Sequence, residues 1–285
     1  MFVTFLWMIL PVVLMFILQV LVSFVTFFVS IFGYAVSAAS SGGEYSLEGM
    51  LEQVTKLMSD TDKMLTISLI YAIISIVIMA IWYKKIKNPS YGSKGVRVKT
   101  NHGLLAVGIV LLAVTMQRIS AYIMALTTMA SPGALEKYNE LMELSGLAQD
   151  EGVTIPVILY AVLLGPLSEE LIFRGVVMKT GLKKFSFFTV NIIQAALFGM
   201  FHMNVVQGLY TFFVGLCLGY VAYRTKGIKT SYLLHLVYNI CGVFGMVNIF
   251  ESGSILAFAG LVATFAIFYM ALHLTDVATG VRSLD

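Results

Sequence analysis

The chain has 285 residues, of which 59% are hydrophobic and 12% charged, about half the charge of an ordinary soluble domain. Its 18 basic and 15 acidic residues leave a net charge of +3, far from the strongly basic face that nucleic-acid binding requires. A soluble globule and a nucleic-acid partner are therefore excluded, and the composition predicts an all-α, polytopic membrane helix bundle.

No charged residue occurs from Met1 to Ser41. That run is far longer than the apolar core of a signal peptide, and no basic segment precedes it, so it reads as a retained first span. Seven further apolar runs follow: Met64 to Tyr83, Gly103 to Thr127, Val153 to Val177, Phe187 to Met203, Leu209 to Tyr223, Ser231 to Phe250 and Ser254 to Leu274. With the first run they make about eight candidate spans. Between them, Ser46 to Lys63 and Gly133 to Gly146 mix helix formers with charge and read as short surface helices.

The connecting segments alternate in sign. Lys84, Lys85, Lys87, Lys94, Arg97 and Lys99 follow the second span; Lys179, Lys183 and Lys184 the fourth; Arg224, Lys226 and Lys229 the sixth. Acidic residues follow the odd spans: Glu44, Glu48, Glu52, Asp60 and Asp62, then Glu136, Glu140, Glu143, Asp150 and Glu151, then Glu251. The positive-inside rule places the basic loops, and with them both termini, in the cytoplasm. The chain divides into residues 1–150, with spans 1–3 and the surface segments, and residues 151–285, a catalytic membrane core of spans 4–8. The expected location is an integral multi-pass position, in the plasma membrane if the host is bacterial.

Ionisable groups inside spans cost about 2.5–3.5 kcal/mol each at the helix centre, so they mark function by default. Span 4 contains Ser168, Glu169, Glu170 and Arg174 in continuous apolar sequence. Glu170 and Arg174 share a helix face at the i, i+4 spacing that favours an ion pair, while Glu169 points about 100° away. Arg174 then neutralises Glu170 and leaves Glu169 to act as a general base. Ser168 reads as a local hydrogen-bonding residue. Span 5 ends with Phe198 one helical turn before His202, and span 7 carries His235 one turn before Asn239. One shared polar site accounts for all of these. A carboxylate and a neutral histidine can hold and deprotonate a water; a histidine and an asparagine can donate to the oxyanion formed when that water attacks an amide. Counted from the loop near Lys183, however, His202 lies deeper than Glu169. Either span 4 breaks at Gly175, or span 5 begins only near Asn191.

The motifs Glu169-Glu170-x-x-x-Arg174, Phe198-x-x-x-His202 and His235-x-x-x-Asn239, in that order and each in an apolar span, resemble those of the CPBP family. This family comprises type II CAAX prenyl endopeptidases and bacteriocin-processing, abortive-infection-like intramembrane proteases. The resemblance covers about Val153 to Phe250. It implies an endopeptidase acting on a peptide or protein segment, with Glu169 and His202 activating water, His235 and Asn239 forming the oxyanion hole, and Glu170, Arg174 and Phe198 in support. Glu169, His202 and His235 are also a possible zinc set. With no HExxH helix and no second ligand shell visible in the sequence, the cofactor-free reading is preferred.

A transporter would also place charge in the membrane, but it favours matching interrupted halves, which are not visible here. A non-catalytic scaffold is disfavoured by the intact motif set. Cys217 and Cys241 stand alone in apolar runs and imply neither disulfide nor thiolate site. His102 and His273 read as interfacial. Gln117 and Arg118 fall within span 3, where Arg118 is either a snorkelling residue or a second counter-ion. Gly215-x-x-x-Gly219 reads as a close intramolecular packing seam.

Overall fold

The computed structural model describes residues 1–41, 46–86, 100–144, 153–245 and 255–280. Glu44, Lys87, Lys94, Arg97, Lys99, Asp150, Glu151 and Glu251 lie outside these residues, as do the end of the seventh expected span and the first residue of the eighth. The structure is about 90% helix, with no strand among the described residues.

Among the described residues ten helices follow one another: α1 (Phe2–Ser41), α2 (Leu47–Met58), α3 (Thr61–Lys85), α4 (His102–Ala130), α5 (Pro132–Leu144), α6 (Ile155–Gly181), α7 (Phe187–Phe201), α8 (Val205–Arg224), α9 (Ile228–Val243) and α10 (Ile255–Thr279). Local chemistry sets many of the boundaries. Ser46, Asp60, Asn101, Thr154, Ser186 and Asn204 each accept a hydrogen bond from a backbone N–H in the first turn of the helix that follows, satisfying a donor that the helix itself leaves unpaired. Lys63 pairs with Asp60 at 2.7 Å, and its hydrogen bonds hold the Asp60 carboxyl below its ordinary range.

Among the described residues, six helices are long and apolar enough to cross a membrane: α1, α3, α4, α6, α8 and the Phe258–Thr279 part of α10. The other two expected spans are shorter. α7 has 15 residues and α9 has 16, about 22–24 Å at 1.5 Å per residue against a hydrocarbon core of about 30 Å. Both carry candidate site residues. A helix that ends at membrane depth is tolerated where its end is buried in protein or lines a cavity.

Contacts between helix ends show how the bundle is arranged. The start of α1 meets the ends of α3 and α6: the Trp7 and Trp82 rings are 6.3 Å apart, Met8 packs beside Gly181, and Lys179 lies 4.1 Å over the Tyr83 ring. Phe187 at the start of α7 stacks on Tyr223 at the end of α8. Asn101 donates to Ala278 O, joining the start of α4 to the end of α10. There Arg224 pairs with Asp276 at 2.7 Å, and Tyr220 donates to the same carboxylate. The starts of α1 and α4 and the ends of α3, α6, α8 and α10 thus share one end of the bundle with the basic residues Lys84, Lys85, Lys179, Arg224 and Lys226.

α6 is not a uniform helix. Ile158–Leu164 and Glu170–Val177 wind as π-helix, separated by one α-helical turn at Gly165–Glu169. Such segments are rare and recur at functional sites. Pro166 helps to explain the first: it has no N–H to return to the preceding turn. The Gly165 N–H bonds to Tyr160 O, five residues back. Helix α6 continues through Gly175 to Gly181, and α7 starts at Phe187. Neither a break at Gly175 nor a start near Asn191 occurs. Glu169 and His202 both lie roughly 20 Å along their helices from the basic end, which resolves the depth mismatch.

Candidate active site

The α7–α8 hairpin is closed by small residues. A Cβ on Gly199 would clash with Gly208 O, one on Gly215 with Ala195, and one on Gly219 with the Asn191 side chain. Gly215 and Gly219 therefore form an intramolecular seam. Most polar groups within it are paired: Gln194 Nε2 donates to Gly215 O and Asn191 Oδ1, and Asn191 Nδ2 to Leu216 O, while Gln194 Oε1 has no partner among the described residues. At the tip, His202, Met203 and Asn204 reverse the chain, with Met203 at φ 55°. That left-handed conformation costs a non-glycine residue about 1–2 kcal/mol, and the Asn204 cap on α8 offsets part of it.

On α6, Glu170 is fully buried and surrounded by donors. Its Oε1 accepts from Arg174 Nη1 at 3.0 Å and from His235 Nδ1 at 3.1 Å, and its Oε2 accepts from Ser231 Oγ at 2.6 Å. Arg174, also fully buried, donates to Gly215 O and lies 4.4 Å over the Phe198 ring. A buried ion pair is tolerated only with good geometry and additional hydrogen bonds, and this pair has both.

Phe198 is central to the packing. Its ring meets His202 and His235 edge-on, with centroids 4.9 and 6.0 Å away. His202 Nδ1 lies 2.8 Å from Phe198 O. A carbonyl only accepts, so Nδ1 carries the proton and Nε2 of the neutral ring is an acceptor. In His235, Nδ1 donates to Glu170, and Nε2 lies 3.6 Å from Glu169 Oε2. Glu170 thus fixes the His235 ring between itself and Glu169.

Glu169 is partly exposed and lines a cavity of about 140 Å³ with His202, Ser168, Gly165, Phe201, Tyr160, Tyr71 and Gln19. This volume admits a few waters, each needing roughly 30 Å³. Asn239 does something different: its Nδ2 donates to Ala161 O at 2.7 Å. In the π pattern that carbonyl would receive the N–H of residue 166, which is proline, and the asparagine supplies the missing donor. Tyr232 similarly donates to Leu163 O. The structure therefore brings Glu169, Glu170, Arg174, Phe198, His202 and His235 into one cluster, while Asn239 engages the wall of α6.

Several participants carry no mark in the sequence. Gln19 and Tyr71 lie in long apolar runs, Tyr160 precedes the charged patch, and Ser231 had no recognised partner. Ser75 on α3, bonded at 2.6 Å to Ser168, was equally silent. Gln117 donates to Tyr238 O and ties α9 to α4. His102 and His273 are exposed.

Residues 151–241 match the family model for type II CAAX prenyl endopeptidase, Rce1-like. This segment is similar to that family. It is thus similar to CAAX-protease-like endopeptidases, and the long apolar helices support an integral multi-pass membrane protein. No curated protein and no solved structure matches the chain. The Rce1-like domain spans α6 to most of α9 and so includes all three motifs, whereas Gln19 and Tyr71 come from helices outside it.

The two histidines of the Rce1-like domain each have a partner at Nδ1, an orientation that metal ligands commonly use. Among the described residues, however, no three or more His, Cys, Asp or Glu side chains converge as a metal-holding group.

Proposed function

We propose that the protein is an intramembrane endopeptidase that hydrolyses a peptide bond by direct attack of water activated by Glu169 and His202. The observation that carries this reading is that these two residues line one small polar cavity in an apolar bundle. A water there gives one proton to Glu169 while His202 Nε2 accepts a hydrogen bond from its other O–H. No serine or cysteine nucleophile is required. Glu170, anchored by Arg174 and Ser231, keeps His235 facing Glu169, so that a protonated His235 stabilises both the ionised base and the developing oxyanion. Asn239 holds the first π segment of α6, and through it the cavity wall.

The reaction is assigned without a cofactor, because a carboxylate and a neutral histidine are sufficient to activate water. The substrate is a peptide or membrane-protein segment that reaches the site within the bilayer. All eight apolar helices are taken as membrane-embedded, and the basic end carries both termini on the cytoplasmic side.

Cleavage of a peptide library by purified protein in nanodiscs, with new termini read by mass spectrometry, tests the activity. Wild type cleaves a subset of peptides and Glu169→Gln cleaves none. Equal cleavage by both proteins removes Glu169 from the mechanism, and movement of a solute through wild-type liposomes without proteolysis favours a transporter.

A further inference from the structure

We propose that the Tyr71 hydroxyl donates a hydrogen bond to the oxyanion formed during peptide hydrolysis, making Tyr71 a catalytic residue supplied from outside the Rce1-like domain. This rests on the hydrolytic reading above.

Three observations carry it. Tyr71 lies on α3 and lines the cavity that contains Glu169 and His202. The residue is only 7% exposed, and its hydroxyl makes no hydrogen bond of good geometry among the described residues: its neighbour Ser75, one helical turn on, is paired at 2.6 Å with Ser168. A buried polar atom without a partner is uncommon and costs about 1–3 kcal/mol. A phenol on the wall of a cavity beside a carboxylate base, its hydroxyl without a well-formed hydrogen bond, is explained if its partner arrives with the substrate. The third observation is the state of the other donors. One Asn239 amide hydrogen is engaged by Ala161 O, and His235 uses Nδ1–H on Glu170. His235 thus donates at Nε2 only when the ring carries a second proton. Tyr71 donates at neutral pH with no change of protonation.

In the reaction, a lone pair of the water oxygen forms the new C–O bond as Glu169 takes the proton. The carbonyl π electrons move onto oxygen, and that oxyanion accepts the Tyr71 O–H bond. When the intermediate collapses, the C=O bond re-forms, the C–N bond breaks, and protonated Glu169 gives its proton to the departing nitrogen. Tyr71 keeps its own proton throughout. Because its contact strengthens as charge develops, it acts on kcat rather than on substrate binding.

The test compares wild type, Tyr71→Phe, Glu169→Gln and Tyr122→Phe in nanodiscs. Tyr122 also has a buried hydroxyl without a partner among the described residues but does not line the cavity, so it controls for removal of such a group. Tyr71→Phe is expected to lower kcat about 10²–10³-fold, as loss of one oxyanion donor does, with KM unchanged. It should weaken binding of a peptide phosphonate, which mimics the charged tetrahedral intermediate, by the same factor. Tyr122→Phe keeps wild-type kcat.

Wild-type kcat and phosphonate affinity in Tyr71→Phe, with Glu169→Gln inactive, overturns the role of Tyr71 alone. A raised KM with unchanged kcat does so as well. An active Glu169→Gln protein overturns the hydrolytic reading and this proposal with it. Where Tyr71→Phe does not fold, 3,5-difluorotyrosine at position 71 retains the hydroxyl and alters its acidity. Phosphonate affinity then shifts, and unchanged affinity overturns the proposal.

Discussion

Glu170 has no access to solvent, and its charge is held by three donors from two other positions on α9 and one on its own helix. Removing one donor leaves the rest of a buried network unbalanced. Arg174→Ala should therefore destabilise the fold by about 3–5 kcal/mol, the usual cost of stranding a buried charge. Ser231→Ala removes one hydrogen bond to a charged group and should cost about 1.5–3 kcal/mol. Denaturant unfolding in detergent measures both, and wild-type stability in Arg174→Ala would show that Glu170 is not ionised in the fold. The functional residue Glu169 behaves oppositely: Glu169→Gln or His202→Ala should reduce turnover about 10²–10⁴-fold at near-wild-type stability, measured as peptide cleavage alongside melting temperature. Four-residue spacing made the Glu170–Arg174 contact legible in the sequence. Ser231 was not legible, because its partner lies 61 positions away and a lone serine in an apolar helix carries no mark of its distant contacts.

At the scale of elements, the six helices long and apolar enough to cross a membrane followed from hydropathy, and the short surface helices from their mixed polarity, whereas α7 and α9, expected as two further spans, are shorter. The winding of α6 did not. A π segment differs from an α segment by one residue in the return of a hydrogen bond, which hydropathy does not register; Gly165-Pro166 was the only local hint. The pairing of α7 with α8 was half legible, since Gly215-x-x-x-Gly219 announced close packing but not the facing residues Ala195 and Asn191. The hairpin holds His202 at its tip, so its seam controls the site. Gly219→Ala would set a methyl against the Asn191 side chain and should cost about 1–3 kcal/mol through overpacking. Gly219→Leu should cost more and abolish cleavage. A melting temperature of Gly219→Leu equal to wild type would show that the seam is open.

The whole molecule combines a motif-bearing domain with helices from the first half of the chain, and the cavity needs both. The motifs were readable because charge is conspicuous in apolar sequence. Gln19 and Tyr71 were not, because residues on α1 and α3 acquire meaning only once those helices pack against α6. Charge separation along the bundle makes a topological prediction: single cysteines at Lys226 and Glu140 should label from opposite sides of a sealed vesicle, and labelling from one side would contradict the proposed orientation. The central claim is that this cavity hydrolyses peptide bonds with its own side chains, and it is tested most directly by the cleavage rate of chelator-treated, zinc-assayed protein in nanodiscs. The account predicts an unchanged wild-type rate at well under one zinc per chain, and no cleavage by Glu169→Gln under the same conditions. Loss of wild-type cleavage on metal removal, with recovery on adding zinc, would contradict it.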